Sequence, residues 1–159
     1  AVVDIRELVL LNGGQGETRQ LDQYISGMSF NGFENMYRYI VYGDGTVKIQ
    51  HTIKPQGTMP AWLPRIGVTF GLDGSLCNVE WHGRGPQANY PDRKSGYRMG
   101  EWTSTVDQMY EPYLLPQDYG LRMDCRRVSF TDDSGKGLMF TMNEPFGFKD
   151  NFHLTPPGT

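Results

Sequence analysis

The chain has 159 residues, room for one ordinary core, and its 38% apolar and 21% charged content is that of a water-soluble globular protein. A formal charge of −3, with cations scattered as Arg6, Arg19, Lys48, Arg65, Arg84 and Arg126, excludes a nucleic-acid footprint. No run approaches the roughly 20 apolar residues of a membrane-spanning helix, and Asp4, Arg6 and Glu7 interrupt the apolar residues of 1–11, so neither a span nor a targeting segment is expected.

In chain order, strands are expected first over 5–11 and 18–26. In NMYRYIVYGDGTVKIQHTIKP, which starts at Asn35, the residues Met36, Arg38, Ile40 and Tyr42 alternate with Tyr37, Tyr39 and Val41, the period of two that a pleated strand requires. Gly43-Asp44-Gly45 breaks this run with residues that accept positive φ. The chain then returns with Val47, Ile49, His51 and Ile53 on one face, so the pair reads as a hairpin. Further strands are expected over 65–72, 76–81, 122–131 and 137–142, with turns at Asp73-Gly74 and Asp133-Ser134-Gly135. Helix should occupy less than about a fifth of the chain: only 100–110 suits a short helical turn, and Pro112 and Pro116 stop anything longer. Pro156, Pro157 and Gly158 make a tail of the residues from about 152. With no internal repeat and no linker, residues 1–159 read as a single β-sandwich domain or a fragment of one.

Metal chemistry finds no support, because His51, His82 and His153 are far apart and neither Cys77 nor Cys125 belongs to a short-spaced pair. The two cysteines sit in strand-like runs where a thiol packs as a small hydrophobe, which disfavours a disulfide. There is no Gly-x-Ser-x-Gly elbow, and GRGP at Gly83 lacks the third glycine, the Lys-Ser/Thr ending and the helix of a phosphate loop. Asn143-Glu144-Pro145 looks like the end of a glycosidase barrel strand, but such a barrel takes about 250 residues of alternating strands and helices, so a turn is the expected reading.

The stretch WHGRGPQANYPDRK, from Trp81 to Lys94, is more informative. Trp81 and Tyr90 offer ring faces for the apolar side of a pyranose, and Arg84, Asn89, Asp92 and Arg93 offer planar groups for its hydroxyls. The same residues suit a structural role. Gly83, Gly85, Pro86 and Pro91 force an irregular path whose amides need partners such as Asn89 or Asp92, and a paired Arg93 would lock it.

This stretch resembles the Trp-x-Gly-x-Gly-Pro-x-Glu-Asn-Tyr-x-Asp-Arg signature of the C-terminal, small-chain domain of large β-galactosidases of glycoside hydrolase family two. The likeness continues through STVDQMYEPYLLPQDYGLR, which ends at Arg122, and so covers the second half of the chain. Two positions depart from the pattern: Ala88 stands where Glu is usual, and Tyr119 where Asn is common. The resemblance implies an all-β fold, an antiparallel β-supersandwich of the galactose-mutarotase type, present as a partial domain because the chain stops before the family's last part. It implies that both catalytic glutamates belong to a separate central barrel, so that no catalytic residue, cofactor or metal is expected here. The implied work is to shape the substrate cleft. The implied partners are the remaining domains of the parent polypeptide, a galactoside substrate and a second copy in a homo-oligomer, with no nucleic acid or membrane. The compartment stays open between a bacterial-type cytoplasm and the periplasm. Two alternatives stand beside this reading, a free-standing carbohydrate-binding module using Trp81 and Tyr90, and a mutarotase-like isomerase drawing on His82 and a carboxylate.

Overall fold

A computed structural model of the chain describes residues 1–12, 15–20, 31–59, 61, 66–115 and 119–142, with the backbone alone over 10–20. The chain divides into two compact units, Ala1–Val68 and Thr69–Thr159. Each contributes one four-stranded antiparallel sheet. The all-β, antiparallel class expected from the sequence is therefore the one observed, and the described residues hold no α-helix.

In the first unit, β1 (Val2–Asn12), β2 (Gln15–Gln20), β3 (Gly32–Val41) and β4 (Val47–Gln56) lie in the order β2-β1-β3-β4. β3 and β4 form the expected hairpin, with Met36 opposite Thr52 and Val41 opposite Val47. Its turn is closed by Asp44, whose Oδ1 accepts the Thr46 amide at 2.9 Å. Cross-strand pairs fix the register. Tyr37 stacks on His51 with ring centres 4.2 Å apart and planes within 5°, and burial lowers the pKa of that imidazole. Arg38 grips the directly opposed Asp4 with two hydrogen bonds of 2.8 and 2.9 Å. β4 is an edge strand that exposes Lys48, Lys54 and Pro55.

In the second unit, β5 (Asn78–Gly85), β6 (Arg98–Thr105), β7 (Arg127–Thr131) and β8 (Gly137–Thr141) lie in the order β6-β5-β7-β8, with one 3-10 turn at Asp107–Met109. Val79, Trp81, Met109, Cys125, Val128 and Phe130 form its core, with Leu72, Leu76, Trp102, Val106 and Phe140 packed around them. Trp81 and Trp102 face each other across β5 and β6. Cys77 and Cys125 remain separate thiols. The edge strand β8 exposes Leu138 and Met139.

Several expectations need correction. Residues 66–72 run without strand pairing although Ile66, Val68, Phe70 and Leu72 alternate, because period two allows pairing and does not supply a partner. The helical turn expected within 100–110 shrinks to the single 3-10 turn, and 98–105 is instead β6. The strand expected over 122–131 begins only at Arg127, since Asp124 has φ +55°, a left-handed conformation that ends an extended run and that Asp tolerates better than most residues. Finally, the stretch read as a loop from Trp81 starts as strand: β5 carries Trp81, Gly83 and Arg84 as far as Gly85. The turn expected at Asn143-Glu144 and the tail from about 152 lie outside the described residues.

Candidate functional site

β5 ends where the glycine-rich segment leaves the sheet. A Cβ at Gly83 would lie 2.7 Å from the Cys125 sulfur, and one at Gly85 would lie 2.8 Å from the Trp102 ring, so the glycines here permit close approach of neighbouring segments. Opposite them the chain bulges. His82 pairs with Arg127 in register, yet the Arg84 amide reaches the Met123 carbonyl at 3.0 Å, so four residues are passed on one strand for two on the other. The bulge carries Asp124 beside β5, where its carboxylate accepts Arg84 Nε at 2.6 Å and Lys94 Nζ at 3.0 Å. Arg84 also donates to the carbonyls of Tyr97 and Lys94, at 2.7 and 3.2 Å. Three segments thus converge on one partly buried ion cluster.

Burial pushes the Asp124 carboxyl up, but the hydrogen bonds from Arg84 and Lys94 and their positive charges outweigh it, and hold the group below the usual carboxylate range. A depressed folded-state pKa gives stability that is present above the unfolded value, near 3.9, and is lost as pH falls through the folded one. Melting curves across that acid range should therefore fall more steeply for the native chain than for Asp124→Asn. The turn residues Asp44, Asp73 and Asp132 are lowered too, so the informative quantity is the difference between the two proteins. Parallel acid limbs would remove Asp124 from this account.

Asn89 is fully buried. Its side-chain carbonyl accepts the Met123 amide at 2.9 Å, its amide nitrogen donates to Gln87 O at 3.0 Å and Arg84 O at 3.4 Å, and its own backbone amide reaches Leu121 O at 2.8 Å. Arg122, only 4% exposed, donates to the carbonyls of Met109 (2.9 Å), Gly120 (2.8 Å) and Pro86 (3.1 Å), and its guanidinium lies 5.5 Å from the Trp81 ring centre. Burial lowers its pKa.

Outside this frame lies a group of rings. Arg93 is exposed, hydrogen-bonds the Tyr113 hydroxyl and sits 4.8 Å from the Tyr90 and 5.2 Å from the Tyr113 ring centres. Tyr113 is roughly parallel to Tyr119 at 6.3 Å, and Tyr119 meets Tyr110 at 5.3 Å. Burial first, and the hydrogen bond with Tyr113 second, push the Tyr90 phenol up to about 12.

The six residues singled out from the sequence therefore separate. Trp81 and Asn89 are buried, Trp81 donating its indole N–H to Arg84 O at 3.1 Å. Arg84 is held in the ion cluster, and Tyr90 and Arg93 join the rings. Asp92 lies exposed at the turn. Asn89 bonds the Met123 backbone amide, Arg93 bonds the Tyr113 hydroxyl from an exposed position, and the arginine buried among backbone carbonyls is Arg122. Sequence reasoning did not single out Asp124, Lys94, Arg122 or Tyr113. Arg122 gave one signal, a cation among the apolar residues of GLRMDC. As for the departures, Ala88 is a buried methyl whose amide points to Glu111 Oε1 at 3.4 Å, and Tyr119 is one of the packed rings. Among the described residues no group of His, Cys, Asp or Glu could hold a metal ion, and no helix is long and apolar enough to cross a membrane.

Residues 11–154 match the family model described as beta galactosidase small chain. The β-galactosidase of Priestia megaterium (strain DSM 319 / IMG 1521) is 38% identical over 101 residues, which make up 64% of this chain and 10% of that protein. That of Vibrio cholerae serotype O1 is 39% identical over 92 residues, 58% of this chain and 9% of that protein. A third relative, beta-galactosidase BgaC of Bifidobacterium adolescentis, is 33% identical over 103 residues, 64% of this chain and 10% of that protein. The chain belongs to the β-galactosidase small-chain family. The stretch it shares with these relatives is about a tenth of their length.

Proposed function

We propose that this chain is a non-catalytic part of a β-galactosidase, a piece of the terminal domain that shapes the substrate cleft and carries interdomain contacts, while the parent polypeptide hydrolyses terminal β-galactosides. The family match spans both units, which supports taking them as parts of one small-chain domain. The observation that carries the reading is how the polar groups of the glycine-rich segment are used. Arg84, Asn89, Lys94, Arg122 and Asp124 are bonded to the chain itself, which suits a rigid wall better than a reaction centre. Retaining glycoside hydrolysis needs a nucleophile and an acid/base carboxylate about 5–5.5 Å apart, and in this reading both lie in another domain.

The isolated chain should give no detectable cleavage of an aryl β-galactoside and bind galactose at about millimolar affinity or weaker. Hydrolysis by the purified chain that disappears in Glu144→Gln would overturn the proposal. The partners in this reading are the remaining domains, the galactoside and a second copy of the polypeptide.

One observation favours a sugar-binding surface as a second reading. Tyr90 and Tyr113 are half-buried rings beside an exposed Arg93, and the half-buried Tyr119 stacks on Tyr113, an arrangement that can cover a pyranose face and bond its hydroxyls. Tight galactose binding lost in Tyr119→Ala would promote this reading over the first.

A further inference from the structure

Arg122 does more than bury a charge. Its Nη1 bonds both Met109 O and Gly120 O, the two ends of the excursion that contains 110–115. On this closed neck the segment is held in several ways: Tyr113 N donates to Glu111 O at 2.8 Å, Tyr110 packs on Tyr119, and the Tyr113 hydroxyl accepts from Arg93. Such fastening of a surface excursion has a cost in chain entropy, and what the cost secures is the display of two side chains. They are Leu114 and Leu115, 101% and 77% exposed, the two most exposed large hydrophobic side chains of the described residues.

We propose that Leu114 and Leu115 are an intramolecular anchor that seats in an apolar recess on another domain of the same polypeptide. This rests on the reading above that the chain is part of a larger β-galactosidase. Branched aliphatic side chains have no flat face and no hydrogen-bonding group, so they suit neither a sugar nor a polar ligand. Two leucines also supply only a fraction of the roughly 800 Å² per partner that a stable complex between separate proteins needs. A covalently attached partner relaxes that requirement, because the tether raises its effective concentration and a small patch then suffices. The stretch shared with the relatives is about a tenth of their length, so they hold ample further chain for the recess. The bonds and ring contacts of 110–113 restrain the chain that leads into the leucines before docking, which lowers the entropy lost on contact.

The test uses the full-length polypeptide with Leu114→Cys or Leu115→Cys, labelled with a small maleimide and followed by peptide mass mapping, which separates the new thiol from Cys77 and Cys125. The expected result is labelling slower by roughly tenfold or more than in the same polypeptide unfolded in urea, and unchanged on dilution. Amide hydrogen exchange over 110–115 in the unsubstituted protein should show matching protection, which guards against a substitution that itself disturbs docking. Labelling near the unfolded rate with fast exchange overturns the proposal, and so does protection that disappears on dilution, which would assign the site to a second copy. Turnover of an aryl β-galactoside by the unsubstituted polypeptide reads the parent function separately: absent turnover sinks that reading, whereas full turnover with unprotected leucines sinks the anchor alone.

Discussion

Replacing Arg122 with Met should lower stability by about 3 kcal/mol, because the carbonyls of Met109, Gly120 and Pro86 lose their common donor and an orphaned buried group costs roughly 1–3 kcal/mol. The melting temperature of a domain this size should then fall by about 6–12 °C. Met keeps much of the aliphatic volume, so the loss reports the hydrogen bonds and the cation over Trp81 more than packing. Arg122→Lys should recover only part of it, since one ammonium cannot span three carbonyls in different segments. Urea unfolding of the three proteins decides the matter: a Met variant within about 0.5 kcal/mol of the parent would show the guanidinium to be energetically idle.

Asn89→Ala should cost about 2–3 kcal/mol. The Met123 amide, against a fully buried side chain, would lose its acceptor, and Gln87 O would lose its nearest side-chain donor. Asn89→Asp separates the two halves of the amide: it keeps an acceptor for Met123 but turns a carboxylate toward the carbonyls of Gln87 and Arg84, so it should not rescue. The measurement is again a chemical unfolding midpoint, and full stability in the Asp variant would mean that the donor side of Asn89 does nothing.

What could be read from the sequence follows from where the information lies. The β3–β4 hairpin was legible because a run rich in aromatic and β-branched residues, Met36 to Val41, is followed by a turn whose Asp44 accepts the Thr46 amide, and both signals are local. β5 was only half legible. Gly83 and Gly85 are poor strand residues that fit here because Cys125 and Trp102 approach too closely for a side chain, and those neighbours are distant in sequence. β6 was missed for a similar reason, since Gly100, Glu101 and Thr103 give a weak pattern and its pairing with β5 defines the strand. At Asn89 the sequence left two uses open, a sugar contact and a partner for loop amides, because glycines and prolines around it show an irregular path but not which side chains it buries. Asp124 and Arg122 were not, as their roles appear only once the bulge brings Arg84, Lys94 and Pro86 beside them.

The two sheets end in edges of opposite character. β4 carries Lys48, Lys54 and Pro55, and a copy that tried to extend the sheet there would meet like charges and a missing amide donor. β8, with the sequence GLMFT, has no charge and shows Leu138 and Met139 to solvent at 51% and 64%. Among the described residues it is the strand most ready to recruit a foreign β-segment, so aggregation of the separately produced chain should start at β8. A lysine in place of Met139 is the substitution best suited to keep it dispersed.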